Sequence, residues 1–214
     1  MGQVKIENGN YIFPKKYNKN VAAKYFAPNT LPGCFNAILG KKDLVSDSTY
    51  DSFKDSKIKE GIAYALKKVD LSTEDLIKTT NVVYAPLFDY VFMTDSKTNK
   101  TILTNMVKRG NNNLYRYGFF NIVYIFYSAK QLLTVNLKYD IVNDEVIKSS
   151  SEEYFYKDVV GVSADEESFG LKTTGGPAAE IKFKSSLSKS LKFDIVDCES
   201  IVSSVRKILR EVKE

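Results

Sequence analysis

The sequence predicts an α+β protein in which an N-terminal helical and mixed region is followed by an antiparallel β-meander or open barrel capped by a C-terminal helix. Three observations predict it. Aromatic residues make up 13% of the chain, all of them Phe and Tyr, and they accompany valine-rich runs, a composition that suits a pleated, half-buried surface. From Phe119 onward, apolar runs of strand length alternate with turn signals such as Asn143-Asp144 and Gly175-Gly176-Pro177. Near the end, Ile201, Val202, Val205, Ile208, Leu209 and Val212 recur on one helical stripe, and such a stripe must be covered.

The first fifty residues carry the weakest signals. Val4 to Phe13 alternates around Asn8, Gly9 and Asn10 and reads as a hairpin with an Asn-Gly turn. Val21 to Phe26 is one or two helical turns, Pro28, Pro32 and Gly33 mark a loop, and Cys34 to Leu39 is a short apolar piece ended by Gly40. Ile58, Ile62, Ala65, Leu66 and Val69 then repeat at helical spacing, so Lys57 to Lys68 is an amphipathic helix with a solvated lysine face. Ser72 with Asp75 has the form of a capping box, flanked by Leu71 and Leu76 as a hydrophobic staple, which predicts a second helix. Val82 to Ala85, Phe88 to Met93 and Thr101 to Val107 are strand-like, with Pro86 and the polar turn Thr94 to Lys100 between them. Arg109 to Asn113 reads as a loop, and it divides the chain into an N-terminal α+β region, 1–110, and a C-terminal barrel, 111–214, although strands on either side can pair across it.

In the second half, Phe119 to Tyr127 is apolar on both faces, as a covered central strand should be. Leu133, Val135, Leu137 and Tyr139 alternate with polar residues as in a half-exposed strand. Glu152 to Val162 reads as one aromatic and β-branched central strand packed against Phe119 to Tyr127. After the acidic turn Asp165 to Glu167 come Phe169 to Thr173, Ile181 to Lys184 and Leu187 to Val196, and Asp197 is placed to cap the closing helix.

Composition narrows the chemistry. The chain has 214 residues, a formal net charge of +5 and no histidine. Serine and cysteine hydrolase designs that use a histidine, HExxH zinc sites and histidine general bases are therefore excluded. Cys34 and Cys198 are far apart with no CxxC spacing, which fits a reducing, cytoplasmic setting better than a disulfide scaffold or a zinc site. Met1 to Tyr17 holds no apolar signal-peptide core, and the nine apolar residues of Phe119 to Tyr127 are roughly half of the about 20 that a membrane helix needs.

Three segments carry a resemblance. ALKKVDLSTEDL within Ile62 to Asp89, FFNIVYIFYSAKQLLTVNLKYDI, and SSSEEYFYKDVVGVS together resemble an uncharacterised family of bacterial cytoplasmic proteins over residues 57–214. The C-terminal half is similar to the bacterial pleckstrin-homology-like (PH-like) module, which implies two small sheets capped by a C-terminal helix. The resemblance implies a fold and brings no activity with it.

The functional expectation is a non-catalytic binding or adaptor protein that offers a sheet edge or barrel mouth to a protein partner or an anionic ligand. Alternatives are an enzyme using carboxylate and tyrosine chemistry, such as Asp158 with Tyr156, and a module for anionic lipid. Candidate ligand-binding residues are Tyr154 and Tyr156 in the EEYFYKDVV run and the lysines Lys182, Lys184, Lys189 and Lys192, with plain core and solubility roles as the competing reading. Lys108, Arg109 and Arg116 beside Tyr115 and Tyr117 suggest charge and stacking but match no nucleic-acid signature. From Asp144 to Ser168 eight acids face two lysines, a polarity that suits a basic partner or a second copy of the chain. No cofactor or metal is expected; Asp140 to Glu145 lacks the spacing of a calcium loop, and Gly175-Gly176 precedes no phosphate-binding helix.

Overall fold

The computed structural model describes residues 5–7, 10–12, 20–30, 45–94, 101–103, 107–183, 191–196 and 198–213. In chain order these form β1 (Lys5–Glu7), β2 (Asn10–Ile12), α1 (Val21–Thr30), α2 (Asp47–Lys68), β3 (Asn81–Pro86), α3 (Phe88–Val91), β4 (Phe92–Thr94), β5 (Thr101–Leu103), β6 (Val107–Arg109), β7 (Tyr115–Tyr117), β8 (Phe119–Tyr127), β9 (Gln131–Asp140), β10 (Glu145–Phe155), β11 (Val159–Ala164), β12 (Ser168–Thr173), β13 (Gly176–Lys182) and α4 (Cys198–Lys213). The sheets are open and antiparallel, and the fold is α+β with a C-terminal helix, as the sequence predicts.

Strand β8 is the axis of the molecule. It lies inside a four-stranded sheet of order β10-β9-β8-β3. Because successive side chains point to opposite faces, Phe120, Ile122, Tyr124 and Phe126 enter one core with α1 and α2, while Val123, Ile125 and Tyr127 enter a second core. That second core is closed by the sheet β11-β12-β13 and by α4, whose Ile201, Val202, Val205, Ile208 and Leu209 are all buried in it. The predicted apolar stripe is thus the seal between α4 and the sheets.

Helix α2 is longer than its apolar periodicity suggests. It starts ten residues before Lys57, where the Ser46 side chain accepts from the Thr49 N–H at 3.2 Å and Asp47 occupies the first turn. The early turns bury Tyr50 and Lys54, and a buried lysine is a polar residue that hides an inward face from a hydrophobicity pattern. The hairpin β1-β2 pairs Glu7 with Asn10 as expected. Cys34 to Leu39 and Asp197 lie outside the described residues.

Several local expectations are corrected. The Ser72-Asp75 capping box is present, but it closes only the single 3-10 turn Thr73–Asp75 rather than a helix. Phe88 to Met93 divides into α3 and the start of β4 instead of forming one strand. Between Leu191 and Val196 there is a lone parallel bridge, Tyr115 to Phe193, and no strand. The largest correction concerns Glu152 to Val162. It is two strands in two sheets, broken at the 3-10 turn Tyr156–Asp158, and its first part lies on the exposed edge β10, paired with β9 and not with β8. The Tyr156 ring supplies the physical reason: it turns into the second core and its hydroxyl donates to the Ser128 carbonyl at 2.6 Å, which pulls the chain out of the first sheet.

Pairings cross residues 110 and 111. Val107 pairs with Tyr117, and β3 supplies the outer strand beside β8. Among the described residues no helix is long and apolar enough to cross a membrane.

Candidate functional site

The two buried cations, Lys54 and Arg116, belong to a structural network. Arg116 binds both carboxylate oxygens of Asp51 at 2.7 and 2.8 Å, and Asp47 accepts from the Tyr25 hydroxyl at 2.7 Å and the Asn111 N–H at 2.7 Å. The fork geometry of guanidinium on carboxylate holds α2 to β7. The bond to Asp51 keeps the Arg116 guanidinium charged. Burial works against the Asp47 carboxylate, yet Tyr25, Asn111 and Arg116 together hold its pKa below the ordinary range. Arg116, Asp47, Asp51 and the Tyr117 hydroxyl are used internally, so Arg116 and Tyr117 form a clasp between elements rather than an outward patch: the Tyr117 hydroxyl donates to the Asp194 carbonyl at 2.7 Å.

The tyrosines singled out in the sequence are separated by the break at residue 156. Tyr154 is half-buried and donates to Glu152 and to the Ala178 carbonyl, which ties β10 to β13. Tyr156 is buried and bonded to Ser128, with its pKa pushed up to about 12 by that burial. Lys182 ends β13 and Lys192 precedes Phe193; both are exposed. Lys184 and Lys189 lie outside the described residues. Among the described residues no group of three or more Cys, Asp and Glu side chains is placed to hold a metal ion.

A concavity lies elsewhere, between β11 and the last turns of α4. Val159, Val160, Gly161, Val162, Arg206, Leu209 and Arg210 line a cleft of about 450 Å³. Strand β11 is an edge of its sheet, with no strand beside it on that side among the described residues. A bulge between Val159 and Gly161 inserts Val160 as an extra residue, and Val160 is left 59% exposed, the highest value among the large apolar side chains described. Space above Gly161 is empty to 4 Å. On the opposite wall, Leu209 is buried against the core while Arg206 and Arg210, one helical turn apart, carry the polar side. Arg206 donates to the Val162 carbonyl at 3.4 Å, and neither arginine has a carboxylate partner among the described residues.

The sequence marks Val159 to Val162 as strand and Leu209 as part of the helix stripe, but it does not single out Arg206 or Arg210 and does not join the two walls. The VVGV run and the Arg206/Arg210 spacing are both visible there, but their meeting is set by how α4 crosses β11, which no local pattern encodes. Compared with known proteins, the chain matches no family model and gives no significant match among curated proteins or solved structures.

Proposed function

We propose that the protein is a non-catalytic binding module of PH-like kind whose β11–α4 cleft takes an extended peptide segment carrying a carboxylate. The observation that carries this reading is the juxtaposition of the edge strand β11 with Arg206 and Arg210, which have no carboxylate partner among the described residues, across a cleft of about 450 Å³. An added strand would use its main chain for affinity along β11 and its side chains for specificity. Val160 and Leu209 offer apolar contact, and the guanidinium pair selects an acidic residue over a basic one. The four-plus-three arrangement of strands with a closing helix accords with the resemblance noted in the sequence. Against catalysis, the tyrosines and carboxylates brought close together are committed to structural hydrogen bonds, Tyr156 to Ser128 and Tyr25 to Asp47 among them.

The test is a panel of labelled extended peptides, identical but for a central Glu, Gln or Lys, followed by amide shift mapping. The acidic peptide should bind best, perturb Val159 to Val162 together with Arg206 to Arg210, and weaken about tenfold or more on Arg206→Glu with Arg210→Glu. Equal binding of the Lys peptide, or perturbation confined to another surface, overturns the reading.

A further inference from the structure

Strand β10 is an outer strand of the four-stranded sheet, and its charges are arranged to meet themselves. It runs for eleven residues, Glu145 to Phe155, contains no proline, and pairs only with β9 among the described residues. Its one irregularity lies between Val146 and Lys148, so the stretch from Lys148 to Phe155 is regular. Two of the five large apolar side chains left exposed among the described residues, Ile147 and Phe155, stand on it. Natural sheet edges of this length are usually blunted, because their free main-chain groups invite another strand.

The charge pattern says which strand. Lys148 sits directly opposite Lys138 of β9, a like-charge pair across the ladder, and neither lysine has an ion-pair partner among the described residues. Such pairs are unfavourable unless a countercharge lies nearby. Glu152 lies on the same face of β10 as Lys148, four residues on, with Ser150 midway between them. We infer that two copies of the chain associate through antiparallel pairing of their β10 strands about a two-fold axis at Ser150, so that Lys148 of each copy faces Glu152 of the other. In that register Ser149 lies opposite Ser151, and the small central side chains let the strands approach. The pairing is isologous and closes as a dimer, joining two four-stranded sheets into one of eight strands. It leaves the β11–α4 cleft of each copy open and is independent of what that cleft binds.

Sedimentation velocity on the full chain over a range of concentrations at low salt tests this. A concentration-dependent dimer is expected, weakened about tenfold or more by Lys148→Glu or by Glu152→Lys alone and restored when both are combined. Both positions are exposed, and the Tyr154 hydroxyl that Glu152 accepts from keeps its bond to the Ala178 carbonyl, so circular dichroism should be unchanged in all three variants. Ser150→Cys should link to itself under oxidation because it sits on the axis, whereas Glu145→Cys, opposite Phe155, should not. A chain that stays monomeric throughout overturns the inference. So does a dimer that ignores the charge swaps, or one in which Glu145→Cys links and Ser150→Cys does not.

Discussion

The Lys54 ammonium lies 2.5 Å from the Asp194 carboxylate, joining the first half of α2 to the segment that leads into α4. Tyr84 completes the site, with its hydroxyl 3.1 Å from the same nitrogen. Burial alone would lower the lysine pKa, but Tyr84 and Asp194 outweigh it and hold the value above the ordinary lysine range. Removing one partner of a buried pair costs far more than removing both. Lys54→Met is therefore expected to cost about 3 kcal/mol in urea unfolding, and Lys54→Met with Asp194→Leu to recover most of it. If the double variant is as unstable as the sum of the singles, the two residues are not coupled.

Glycine inside a helix normally gives up about 1 kcal/mol relative to alanine. At Gly61 the sign should invert. A Cβ there would stand 2.1 Å from the Tyr124 hydroxyl, which is buried and donates to the Ile58 carbonyl at 2.9 Å. Gly61→Ala is expected to destabilise by about 2 kcal/mol, with partial recovery in Gly61→Ala/Tyr124→Phe. A thermal melt in which Gly61→Ala raises Tm refutes the close approach.

Acid should loosen the α1–α2 contact. The Asp47 pKa is depressed in the folded chain, so its stabilisation is full above the unfolded value of about 3.9 and is lost as pH falls through the lower folded value. Asp47→Asn is expected to cost about 2 kcal/mol at neutral pH and to flatten the acid limb of a plot of stability against pH below about 4. Parallel curves for the two proteins would remove Asp47 from the acid response.

Helix α4 should report on core and cleft separately. Ile208 is 3% exposed in the second core, and Ile208→Ala is expected to cost about 3 kcal/mol. Arg210→Glu, on the cleft side of the same helix, should change stability by less than about 0.5 kcal/mol while weakening peptide binding. Equal effects on stability would make Arg210 a structural residue.

What could be read from the chain in advance follows a physical divide. Strand β8 was legible to the residue because burial on both faces leaves nine consecutive non-charged, mostly apolar positions, and the α4 stripe because one face alone is buried. The start of α2 was hidden by Lys54, whose charge is compensated by residues 30 and 140 positions away. Glu152 to Val162 misled for a related reason. Its strand propensity is real on both sides of the break, but the turn at Tyr156 is chosen by a tertiary hydrogen bond to Ser128. The cleft was illegible because neither wall is unusual alone: an exposed valine and an arginine pair at i, i+4 acquire meaning only when α4 is laid across β11.

The two-sided burial of β8 leaves the molecule without a seam. A fragment beginning at residue 111 would keep Ile122, Tyr124 and Phe126 but lose α1, α2 and β3, which cover them. A fragment ending there would keep those helices with no wall to lean on. Each half acts as the other's folding template, so limited proteolysis should show no stable intermediate piece, and unfolding followed by probes in either core should trace the same curve.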